Sequence, residues 1–185
     1  AGREEAGHPS VGGEHLPDDR GREQPPGHDV EIGQVGEGNA DGAEDLTLGS
    51  LDIAIPPRAQ GHEVTGTCTP ALTQPVHIIG NGPHMHRLGK SLRTEILRSG
   101  AMANPTMLVD VPNFSFDAQV NYRSDELVMP GDVVRTTCRY DNPGTRTVYF
   151  GERTEDEMCF NFVLAWPAGA LVNAAGARTL RCIDA

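Results

Sequence analysis

"MPGDVVRTTCRYDNPG", residues 129–144, sets a short run of residues between a Met-Pro-Gly and an Asn-Pro-Gly turn. Proline presets the backbone angle of a turn and glycine accepts the angles that other residues avoid, so the run between them reads as one short strand. The same punctuation recurs on both sides. Upstream lie "SLDIAI" before Pro56-Pro57, "EVTGTC" before Thr-Pro, "QPVHIIG" before Asn-Gly-Pro, "LRTEILRSG" and "TMLVDV". "FSFDAQV" precedes the opening stretch, and "TVYFG" and "EMCFNFVLAW" follow it. No window carries a helical period. "AGALVNAAGA" is the one candidate for a short helix, and its glycines make a loop an equal reading. Short strands at this spacing predict an all-β fold, an antiparallel jelly-roll-like β-sandwich.

The strands begin only after a segment of a different kind. Residues 1–46 hold ten glycines, four prolines and no aromatic residue, with twelve acidic against three basic side chains. Such a stretch buries too little apolar surface to offset its conformational entropy, so 1–46 is expected to be a disordered acidic tail or linker and 47–185 the folded domain. The tail supplies most of the formal net charge of −11, and the remainder is close to neutral. Without a basic patch there is no surface for nucleic acid. No run approaches the roughly 18 apolar residues of a membrane span, and no secretory leader is recognisable at the first residues.

All four cysteines, Cys68, Cys138, Cys159 and Cys182, fall in the folded part. No Cys-x-x-Cys pair exists, which argues against a zinc cluster or a thioredoxin-like motif. Two disulfides are expected, in one of three pairings. They would place the chain in an oxidising compartment, whether secreted, periplasmic or lumenal.

"NGPHMHRLGK", residues 81–90, carries the first chemistry. Side chains alternate along a strand, so His84 and His86 share one face and Met85 takes the other. Two imidazoles so placed can bind one metal ion. In "RTEDEMCFNF", residues 153–162, Met158 precedes Cys159. A thioether favours Cu(I) and imidazole serves both copper oxidation states, so two His and a Met suit a copper that cycles between them. Zinc would more often take a third His or a carboxylate, and non-haem iron two His and a carboxylate. Taken alone, Met158 reads as core filling.

"HMHRLGK", "MPGDVVRTTCRY" and "DEMCFNF", in this order and spacing, resemble the C-terminal catalytic domain of the copper type II, ascorbate-dependent monooxygenases, whose branches include the peptidylglycine α-hydroxylating and dopamine β-hydroxylating enzymes. The similarity covers roughly residues 46–183. It implies an oxygen-activating copper held by His84, His86 and Met158, and disulfides Cys68–Cys182 and Cys138–Cys159. It also implies ascorbate as reductant and dioxygen as co-substrate. His77 matches a family histidine outside the metal's own ligands, with an orienting hydrogen bond as its implied role. Asp156 and Glu157 could support the ligands from behind, but solvated turn charges are the preferred reading for both.

Two departures from the family pattern matter. The family's electron-delivering copper domain uses an adjacent His-His pair with a distant third histidine. This chain has no His-His, and His8, His15 and His28 are scattered through the expected tail. The sequence therefore reads as a fragment whose N-terminal copper domain lies elsewhere, in the same or another chain. Amidating members also carry an Arg two positions before the first copper histidine, and an Asn and a Tyr after the Met-Cys pair, to hold a substrate carboxylate. Gly82, Phe160 and Phe162 stand there instead, so a buried carboxylate would lack its cation. A small organic substrate is expected, with Phe160, Asn161 and Phe162 as candidate substrate residues. The competing reading is a non-catalytic copper-binding or adhesion module. A zinc hydrolase lacks a third ligand at a recognisable spacing.

Overall fold

The computed structural model describes residues 42–99 and 103–184. Thirteen strands follow in chain order: β1 (Glu44–Ser50), β2 (Ala54–Ile55), β3 (His62–Cys68), β4 (Ala71–Leu72), β5 (Val76–His84), β6 (Gly89–Leu97), β7 (Thr106–Val111), β8 (Tyr122–Val128), β9 (Val133–Tyr140), β10 (Val148–Tyr149), β11 (Cys159–Trp166), β12 (Leu171–Val172) and β13 (Arg181–Asp184). Among the described residues the only helical element is a 3-10 turn at Phe116–Ala118. A five-stranded sheet in the order β13-β1-β11-β5-β8 faces a four-stranded sheet in the order β3-β9-β6-β7. Within these two sheets the strands pair antiparallel except β1 with β13. The all-β sandwich expected from the turn punctuation is the observed architecture.

Both sheets turn alternate side chains inward. Leu46, Leu48, Val76, Ile78 and Val163 meet Ile96, Leu108 and Val134 from the opposite sheet in one buried cluster. A second cluster joins Ile53, Ile55, Met85 and Cys159 to Val64, Leu92, Val109, Cys138 and Tyr140. Burying each of the large aliphatic side chains contributes about 1.5–3 kcal/mol. Two disulfides link the layers: Cys68 on β3 to Cys182 on β13, and Cys138 on β9 to Cys159 on β11. Their Cα–Cα distances, 5.7 and 5.9 Å, lie within the range for bridged cysteines. These are the pairings that the family resemblance implied.

The turns around β9 behave as turn chemistry requires. Gly131 has φ +90°, which an L side chain rarely adopts. Asp132 caps that turn, accepting Met129 N–H at 2.9 Å and an Arg98 guanidinium N–H at 2.8 Å. At the other end Asn142 donates to the carbonyls of Ile55, Pro56 and Arg146 and accepts Gly144 N–H, so one amide closes the whole Asn-Pro-Gly loop.

Several local expectations are corrected. "FSFDAQV" is no strand: its centre is the 3-10 turn, and the next strand is the charged β8. β8 lies at a sheet edge, where polar side chains are favoured and blur the alternation. "SLDIAI" supplies only the last residue of β1, Ser50, and the two residues of β2, while β1 begins at Glu44, three residues inside the expected tail. Glu44 is buried there because its carboxylate pairs with Arg178 and accepts Gly169 N–H. β5 continues through Asn81-Gly82-Pro83 instead of ending there. Its ladder with β8 stops at Asn81, so proline sits where β5 has a neighbour on one side only. "AGALVNAAGA", for which helix and loop are equal readings, forms β12 and a turn. Residues 1–41 of the expected tail lie outside the described residues.

Candidate metal centre

β5 and β11 are neighbours, and their register sets Phe160 opposite His84. His84 closes β5, and His86 follows in the turn that leads into β6. Met85 between them is fully buried in the second core cluster. It packs so closely on Gly89 that a Cβ there would lie 2.8 Å from Met85 Cβ, which fixes the turn from below. The alternation predicted from the His-x-His spacing thus holds past the strand end: the two imidazoles meet edge to face, with ring centroids 5.3 Å apart.

Each ring is held by its Nδ1. Gln119, just after the 3-10 turn, donates its Nε2–H to Phe116 O at 3.0 Å. That leaves Gln119 Oε1 to accept from His84 Nδ1–H at 2.8 Å. His86 Nδ1 faces a carbonyl, Asp156 O, at 2.9 Å, and must donate to it. In the neutral form each imidazole therefore carries its lone pair on Nε2, the tautomer required of a metal ligand whose other nitrogen is tied to an acceptor. Burial lowers the pKa of His84 below its ordinary 6.5; the bond to Gln119 opposes this and the nearby His86 adds to it. Gln119 carries no motif that sequence could have revealed, since only the fold brings it beside His84.

Met158 lies one residue before β11. The β5–β11 ladder ends at the Phe160–His84 pair, two residues short of both Met158 and His86. The Met158 backbone is fixed on both sides: Tyr140 Oη–H donates to Met158 O at 2.7 Å, and Cys159 is bridged to Cys138. Among the described residues no cluster of three His, Cys, Asp or Glu side chains could hold a metal ion.

Glu157 corrects the reading of a solvated turn charge. It is fully buried. Its Oε2 accepts His86 N–H at 2.9 Å and Met158 N–H at 3.3 Å, and its Oε1 accepts Leu88 N–H at 2.7 Å. Burial raises its pKa, against the opposing effect of those three N–H groups and of His86. Asp156 remains a surface charge, paired with Arg153 at 3.2 Å. Tyr140, buried and near Glu157, has its phenol pKa pushed well up for those two reasons.

An aromatic run borders the histidines. Phe150 meets Phe160, Phe160 meets Phe162, Phe162 meets His84, and Phe116 meets His86, with centroids between 5.6 and 6.0 Å. Asn161 is set apart from these rings. It points inward with Cys159 and Val163 and donates to Asn81 Oδ1 at 2.8 Å. His77 sits at the far end of β5 from His84, its Nδ1 3.0 Å from Asp125 Oδ1 and its ring against Trp166.

Comparison with known proteins places the chain in a family. Residues 43–176 match the family model described as copper type II ascorbate-dependent monooxygenase, C-terminal domain. A dopamine beta-hydroxylase of Bos taurus is 30% identical over 125 residues, covering 62% of this chain and 20% of its own length. A tyramine beta-hydroxylase of Caenorhabditis briggsae is 29% identical over 121 residues, 62% of this chain and 21% of its own. MOXD1 homolog 1 of Drosophila melanogaster is 26% identical over 120 residues, 61% and 17%. The chain spans about a fifth of the length of these curated relatives. With a family model covering most of the chain, this protein belongs to the copper type II ascorbate-dependent monooxygenases, in the part that corresponds to their C-terminal domain.

Proposed function

We propose that residues 44–184 form the oxygen-activating copper domain of a monooxygenase that hydroxylates a C–H bond of a small organic substrate. The observation that carries this reading is the pair of fixed tautomers. Gln119 Oε1 and Asp156 O occupy both Nδ1 atoms, so His84 Nε2 and His86 Nε2 are the available donors on one face. With Met158 they form a two-nitrogen, one-sulfur set suited to copper. When bound, that copper would supply dioxygen activation, with electrons drawn ultimately from ascorbate. The chain's own part is to orient the ligands and to border the site with Phe160 and Phe162. Buried Asn161 would stiffen the strand beneath these two rings.

A small substrate without a carboxylate fits this wall. A Cβ on Gly82 would lie 2.9 Å from Asn121 Oδ1 and 3.7 Å from Phe162 Cβ, so a larger side chain there would need its neighbours to move. The position offers a substrate no cation. An N-terminal copper domain in the same or another chain would deliver electrons, and the two disulfides suit an oxidising compartment.

The test is X-ray absorption on the copper-loaded protein. Reduced copper should show two nitrogen scatterers and one sulfur, with the sulfur lost in Met158→Ala. A sulfur signal that survives this substitution removes Met158 from the site and with it the oxygenase reading.

A further inference from the structure

Sequence position gives no hint of how His86 and Met158, more than seventy residues apart, are kept together. Hydrogen bonds supply one answer. The His86–Leu88 segment lies between β5 and β6, outside either ladder, and its backbone N–H groups need acceptors from elsewhere. Glu157 provides them. Its carboxylate takes His86 N–H and Leu88 N–H from one segment and Met158 N–H from the other.

We propose that Glu157 is the positioning residue of the copper site: a single buried carboxylate that ties the His86 turn to the backbone of Met158 and so sets the nitrogen-to-sulfur spacing. The inference rests on the reading of His84, His86 and Met158 as ligands. Three features favour this role over simple core filling. The carboxylate is wholly enclosed, where a charge is tolerated only when its oxygens are hydrogen-bonded. All of its partners named above are backbone N–H groups, so it holds main chain and not merely side chains. Those groups belong to a proposed ligand on each segment, with Leu88 two residues beyond His86. The bond from Tyr140 to Met158 O and the Cys138–Cys159 bridge leave Met158 little freedom of its own, so the turn is what the carboxylate draws into place.

Glutamine is nearly isosteric but has one acceptor oxygen, and its NH2 would face at least one of the three N–H donors. In Glu157→Gln we expect copper(I) to keep imidazole nitrogen scattering but to lose or lengthen the sulfur shell, with affinity reduced about 10- to 100-fold. Unchanged sulfur scattering and affinity would overturn the proposal. Amide hydrogen exchange on the unaltered, copper-free protein gives a second test that does not depend on the variant folding. His86 and Leu88 N–H should exchange as slowly as strand amides, although no strand pairs them. Exchange at the rate of open turns would likewise overturn the clamp. Absence of sulfur scattering in the unaltered protein would instead overturn the ligand assignment, while the exchange rates judge the clamp by themselves.

Discussion

At the scale of single residues, the chemistry of the site depends on where protons sit. His84 and His86 each give up an Nδ1–H to an acceptor that has its own anchor, Gln119 through Phe116 O and Asp156 O through the main chain. His84 is further held neutral because burial lowers its pKa. A group whose pKa is lowered on folding takes up its proton more readily in the unfolded chain. The contribution of His84 to stability is therefore intact above about pH 6.5 and is lost as pH falls through the lowered folded value. With the imidazoles as the proposed copper ligands, a proton would compete for the same Nε2, so apparent copper affinity should fall as the pH drops. Isothermal titration with copper from neutral to clearly acid pH checks this; affinity unchanged over the whole range would mean other ligands. The pairing of His84 with His86 was legible because two-residue spacing carries meaning without a fold, whereas Met158 by itself reads as core filling and is singled out only by the family resemblance. Gln119 and Glu157 were not legible: a glutamine in a loop and a glutamate in an acidic run look like surface until burial and partners are known.

The elements that bring these residues together are β5 and β11, and Tyr140 joins the Cys138–Cys159 bridge in tying them to the opposite sheet. Its ring is fully buried on β9, and its hydroxyl reaches Met158 O at 2.7 Å. Tyr140→Phe keeps the ring and removes one hydrogen bond, leaving Met158 O unpaired. A loss of about 1–3 kcal/mol in stability is expected from the orphaned acceptor, measurable as a lower urea midpoint with unchanged slope. A stability equal to that of the unaltered protein would mean that Met158 O finds another donor. Most strands were readable from turn residues, since Pro and Gly constrain the backbone locally. The misread segments were those whose identity depends on neighbours. Charged β8 is a strand because β5 templates it, and Glu44 opens β1 because Arg178 neutralises its carboxylate.

Across the whole molecule, the two disulfides join the same pair of sheets but close loops of very different length, which separates stability from function. Cys68 and Cys182 are 114 residues apart, Cys138 and Cys159 only 21. Loop-closure entropy grows with loop length, so removing the long bridge should cost about 5 kcal/mol and the short one about 3 kcal/mol. Copper binding should follow the opposite order. Cys182 lies on β13, at the edge of the five-stranded sheet and separated from β5 by two strands, whereas Cys159 adjoins Met158 and stands in the same buried cluster as Met85. The Cys68→Ser, Cys182→Ser protein, kept below its lowered melting point, should retain copper(I) affinity within about threefold; the Cys138→Ser, Cys159→Ser protein, though the more stable, should lose about tenfold or more, comparable with losing an orienting contact. Denaturant melts rank the first property and competition with a copper(I) chelator ranks the second. If both rankings run in parallel, the short bridge is a staple like the long one, and Met158 does not depend on the sulfur link beside it.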